Sequence, residues 1–179
     1  MKGRDHSTLA LMTLIIIFLF LVLFRKTSVY GLSSNLNILF WILSPIFVFL
    51  GSLSPDSDSV NCKSTIYYVS LPFAYLMKIS EIVVAILTGH KIKHRGVLHK
   101  PVGIIITSVI VFFLIYFVTF LSGVSNLYFP IYLSLVFMLS QCLHIFQDYL
   151  YNRFKIFSPI IYFLIALIIV FILVWLKIV

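Results

Sequence analysis

The chain has 179 residues, 62% of them hydrophobic and only 10% charged, and a formal net charge of +8. A soluble domain of this size cannot hide so much apolar surface, so lipid must solvate it; this excludes a water-soluble globular fold. The thirteen basic residues form short clusters between apolar runs, as membrane topology requires, and no nucleic-acid partner is expected. The two cysteines, Cys62 and Cys142, have no paired spacing and build no disulfide framework.

Continuous apolar runs cover residues 9–24, 38–53, 66–87, 102–121, 127–149 and 156–179. Lys2 and Arg4 precede the first run, as in a signal peptide. No small-residue cleavage site follows, and Arg25-Lys26 closes the run, so it reads as a retained span. The first two runs reach about 24 Å as helices, slightly short of a ~30 Å hydrocarbon core. Ser7, Thr8 and Asn37 must therefore join those helices. Ser33-Ser34-Asn35 and Ser122-Gly123-Val124-Ser125-Asn126 read as turns between spans. Residues 52–64 form a polar loop rich in Ser, Asp and Pro.

The run 66–87 contains Pro72, Lys78 and Glu81; the last two are three apart and can meet on a helix. Topology decides its role. With the N-terminus and His6 on one side, the first helix crosses out and the second returns, which places Asp56 and Asp58 beside His6. If 66–87 also spanned, His94 and His99 would lie a bilayer away from the aspartates. If it is re-entrant or interfacial, they stay on the same side. Residues 102–121 then cross out, and 127–149 bring His144 and Asp148 back. The expected fold is therefore all-α: a polytopic transmembrane helical bundle of five spans plus one re-entrant or interfacial helical segment, with 1–179 as a single transmembrane domain. Ten basic residues then flank the side carrying these groups and three the other, which makes that side, and the N-terminus, cytoplasmic.

Three strings concentrate the polar chemistry: Ser54-Pro55-Asp56-Ser57-Asp58, His94-Arg95-Gly96-Val97-Leu98-His99, and His144-Ile145-Phe146-Gln147-Asp148. They hold three of the five acidic residues and three of the five histidines. Carboxylates and imidazoles are costly near a bilayer and default to functional candidates there. Asp56 and Asp58 repel one another unless a cation holds them; the bland alternative is a solvated loop with capping aspartates. Gly96 can take positive φ and fold its loop so that both imidazoles converge. Arg95 and Lys100 could hold an anionic group, or the loop could be a basic segment drawn to anionic lipid. His144 and Asp148 share a helix face at i, i+4 and could bind a metal or simply lock two helices. His90 reads as a surface histidine. Taken jointly, His6, Asp56, Asp58, His94, His99, His144 and Asp148 supply up to seven nitrogen or oxygen ligands, more than one tetrahedral ion takes. Imidazole with carboxylate suits a divalent metal, Zn or Mn first, as one or two ions. Such a site would lower the pKa of bound water and polarise a phosphoryl or carbonyl group.

The order of an N-terminal His, then PDxD, HRGxxH and a late HxxxD resembles the YdjM/YbcI-like membrane-bound metal-dependent hydrolases. The resemblance covers residues 1 to about 153. It implies a polytopic fold with a metal site and a distant kinship with the zinc-dependent phospholipase C and P1 nuclease group. Ser54 stands where that family has Leu, Leu98 where it has Thr and Lys100 where it has Ser. Zinc-protease HExxH is absent, as are the KxxxxxxRP and PSGH strings that accompany HxxxD in lipid phosphatases.

The expected function is that of a metal-dependent hydrolase of a prokaryotic plasma membrane, acting at the cytoplasmic face on a phosphoester, lipid-linked or phospholipid. Asp56, Asp58, His94, His99 and Arg95 are the catalytic candidates, and membrane lipid is the expected surrounding partner. The alternative is a non-catalytic metal-binding membrane protein: a transporter, a sensor or a structural subunit.

Overall fold

In the computed structural model, residues 3–23, 27–55, 71–89, 98–154 and 159–176 are described. Six helices and no strand occur among them: α1 (Gly3–Leu23), α2 (Ser34–Leu53), α3 (Leu71–Thr88), α4 (Pro101–Leu121), α5 (Tyr128–Phe154) and α6 (Pro159–Trp175). The all-α expectation holds. Among the described residues, α2, α4 and the first 23 residues of α5 are long and apolar enough to cross a membrane. Shorter apolar stretches lie in α1 and α6. The exposed faces of α2, α4 and α6 carry Ile42, Ile46, Phe113, Phe117, Phe120 and Phe171, an outer surface that water would not tolerate and lipid would. The chain is thus compatible with an integral membrane protein.

Helix ends follow local chemistry. Ser7, Thr8 and Asn37 do join their helices. Helix α1 begins at Gly3, so His6 lies in its first turn, ahead of the apolar run. Ser34 and Asn35 open α2, and the turn sits earlier, at Tyr30-Gly31. Ser and Asn serve helix starts as well as turns, which is why the sequence misleads here. Pro101 and Pro159 open α4 and α6, where a missing N–H costs nothing. The other end of α4 closes as expected at Ser122-Gly123. Gly123 takes φ +74°; its N–H reaches the Phe120 carbonyl and the Val124 N–H reaches Thr119. This is the paired bonding of a Schellman cap. Helix α5 runs past the expected end at 149 to Phe154 because no helix breaker intervenes.

The central pair is α2 on α5. Helix α4 flanks α5, α1 flanks α2 and touches α5, α6 packs on α1, and α3 packs on α4. One core cluster joins Val29, Phe40, Phe129 and Leu133; Val111 and Phe137 continue it toward α4. Apolar burial drives little helix association inside lipid, so close backbone approach matters more. Gly51 supplies it. A Cβ there would lie 2.5 Å from the Phe137 carbonyl oxygen and 2.9 Å from Ser140 Cβ. Beside it the Ser140 hydroxyl donates to the Val48 carbonyl at 2.6 Å. In α3, Lys78 and Glu81 do meet, Nζ to carboxylate at 2.8 Å, with Glu81 buried and Lys78 reaching outward.

Candidate metal centre

Three segments converge at the end of the bundle where α2 ends and α4 begins. The first is the C-terminus of α2, Ser52-Leu53-Ser54-Pro55, all buried. The second is Leu98-His99-Lys100. Leu98 is fully buried and pins the segment. Pro101 keeps Lys100 extended, at φ −100° and ψ 152°, because a residue before proline avoids the helical region. The third is the inner face of α5, where Phe137, Gln141, His144 and Asp148 recur at helical spacing and are all buried.

His99, His144 and Asp148 each offer one ligand atom, and these atoms lie within 4.8 Å of one another. The two imidazole rings meet edge to face with centroids 5.7 Å apart. Three ligand atoms on one tetrahedral ion at about 2.1 Å stand about 3.4 Å apart. A shared ion would therefore ask the widest pair to close by up to about 1.4 Å. The i, i+4 pair has gained a third, independent donor from the start of α4, which a mere helix lock does not require.

The proton of His144 can be assigned from its partner. Nδ1 lies 2.6 Å from the Ser52 carbonyl oxygen. A carbonyl only accepts, so Nδ1 carries the hydrogen and donates it, and in the neutral ring this leaves the lone pair on Nε2. Histidines that bind metals are held in this way, through the opposite ring nitrogen. The Gly51 contact makes this possible by bringing α5 against the last turn of α2.

Gln141 holds the same corner one turn earlier. Its Nε2 donates to Ser54 Oγ at 2.6 Å and to Thr107 Oγ1 at 3.0 Å, and Ser108 Oγ donates to its Oε1 at 3.3 Å. Thr107 and Ser54 pass their own protons to the Gly103 and Gly51 carbonyls. The amide therefore ties α2, α4 and α5 together directly beneath the cluster. Sequence reading missed Gln141, although an amide three residues before His144 in an apolar helix is a legible signal. It also missed Ser52, whose contribution is a backbone carbonyl that no side chain announces.

The structure therefore brings together His99, His144 and Asp148 of the seven expected ligands. Asp56, Asp58, His94 and Arg95 lie outside the described residues, as do Gly96 and His90. His6 is placed only as a backbone position in α1. Cys142 is exposed on α5 and is not one of the three clustered donors. Lys100, exposed, follows His99 directly. No family model, curated protein or solved structure matches the chain. The chemistry of the site has to be read from its own residues.

Proposed function

We propose that the chain is a membrane-embedded, metal-dependent hydrolase that cleaves a lipid-linked phosphoester at the cytoplasmic face of a prokaryotic plasma membrane. The observation that carries the reading is the fixed tautomer of His144 beside His99 and Asp148. Two imidazoles and a carboxylate, one imidazole oriented by a backbone carbonyl, form a donor set that suits Zn or Mn. When bound, such a cation would lower the pKa of coordinated water and polarise a phosphoryl oxygen.

The remaining ligands come from the neighbouring strings. Ser54 is gripped by Gln141, and Asp56 follows two residues later, within about 7 Å along the chain. Asp58, His94 and His6 would complete one or two cation sites. Arg95 and Lys100 would hold the phosphate charge. A carboxylate of the Asp56-Ser57-Asp58 string not engaged by metal would take the proton from the attacking water. Five spans, α1, α2, α4, α5 and α6, with α3 re-entrant or interfacial, keep all these groups on one side. The basic residues favour the cytoplasm for that side.

Elemental analysis of purified protein tests the reading. One or two equivalents of Zn or Mn are expected, lost in Asp58→Ala and in His94→Ala. No metal after reconstitution would leave a helix-locking network and refute the hydrolase. A His94→Ala protein that expresses normally but loses phosphoester turnover favours the enzyme over a structural metal protein. Loss of assembly alone favours the reverse.

A further inference from the structure

We propose that the cavity between α1, α2, α5 and α6 is the binding site for one alkyl chain of a membrane lipid whose headgroup lies at the metal centre. The placement of the headgroup rests on the proposed function; the binding of the chain does not. The cavity has a volume of about 200 Å³. Apolar cavities of about 150 Å³ already stay dry and take up small hydrocarbons. The wall is built from Leu, Ile, Val and aromatic carbon, including Ile17, Val48, Val136 and Ile169. Its few hydroxyls offer little: that of Ser140 is given to the Val48 carbonyl. A polar ligand would find almost no partner inside, and a hydrocarbon chain loses nothing by entering.

Length and direction select the chain. On α5 the wall runs from Tyr132 to Leu143. That is about 16 Å at 1.5 Å per residue, close to the ~15 Å depth of one leaflet of a ~30 Å core. Leu143 and Ser140 bring the upper end of the cavity level with His144 along α5, though Leu143 is turned about 100° round the helix from it. The cavity thus reaches the depth of the metal centre at one end and Trp41 at the other. A lipid with its phosphate at the site would lay its chain along this wall with the distal half against Trp41.

Trp41 and Trp175 are the two tryptophans of the chain. Trp175 is 73% exposed on α6 and reports bulk hydrocarbon. Single-tryptophan proteins made by Trp175→Phe and Trp41→Phe would be titrated, in detergent micelles, with a monoacyl phosphate lipid dibrominated in the distal half of its chain. Trp41 is expected to be quenched several-fold more strongly than Trp175, and saturably. Val136→Phe, or Ala10→Leu from the opposite wall, should abolish that excess while far-UV circular dichroism stays unchanged. Parallel, unsaturable quenching of both tryptophans, insensitive to either filling substitution, would mean adventitious hydrocarbon only and would overturn the proposal. His144→Ala should lose metal yet keep the excess quenching of Trp41, so failure of the metal reading and failure of chain binding give different results.

Discussion

Where α1 meets α2 and α4 meets α5, Asn126 donates to the Gly31 carbonyl at 2.7 Å and accepts the Phe129 N–H at 3.1 Å. Asn37 accepts the Val29 N–H at 3.0 Å. At the opposite end, Gln141, His144 and Asp148 turn inward from α5 against Ser52, Ser54 and His99. Both ends are polar, but the hydrogen bonds differ in kind. The first set goes to backbone groups left over at helix termini and turns, which any helical hairpin must satisfy. The second set links three separate segments, side chain to side chain through Gln141, and orients a titratable ring on the Ser52 carbonyl. Polar residues that close helix ends need no further explanation; polar residues buried together beyond that need call for a function.

The strongest way to break this distinction is His144→Ala. Metal binding should fall by more than the roughly 10–100-fold cost of losing an outer hydrogen-bond partner, read by titration with Zn or Mn in detergent. If metal remains, the cluster is only a lock between helices. Next comes Gly51→Ala, which drives a methyl into the Phe137 carbonyl. Overpacking should cost about 1–3 kcal/mol in thermal unfolding. By moving Ser52 away from His144 it should also weaken metal binding by about tenfold or more. Gln141→Leu removes the amide that grips Ser54. It strands buried hydroxyls at a cost of about 1–3 kcal/mol and should lower metal affinity less than Gly51→Ala does, because His144 keeps its carbonyl. Asn126→Ala acts at the other end: about 0.5–2 kcal/mol of stability, and an unchanged metal titration.

Much of this division was legible in the residues. Apolar runs located the helices, and Ser122-Gly123 announced the cap that forms there. The spacing of His144 and Asp148 placed both on one helix face, and Lys78 with Glu81 was readable as a pair for the same reason. The helix starts were less legible, since Ser33, Ser34 and Asn35 fit a turn or a cap equally well. The support of the site was hardest to read. Ser52 acts through its carbonyl, and Gly51 acts by having no side chain, so neither carries a chemical label. The grip of Gln141 on Ser54 joins residues 87 apart in sequence, and no local pattern reports such a contact.

An effect as small as that of Asn126→Ala is expected where the same substitution, glycine to alanine, is made at the turn end. Gly123 has φ +74°, and a Cβ added there would meet nothing within 4 Å. Steric crowding is therefore absent, and what remains is the cost of a left-handed backbone for an L-residue, about 1–2 kcal/mol. Gly123→Ala should lower the unfolding midpoint modestly and leave metal affinity at the wild-type value. Gly51→Ala, by contrast, changes both. If Gly123→Ala also lowered metal affinity, the two ends would be coupled through α4 and α5 as one rigid body, and the separation between closing helices and building a site would fail. If both readouts stayed at wild type, the Schellman bonds of Gly123 and Val124 would be contributing less than their geometry implies, and the turn would owe its position to Asn126 alone.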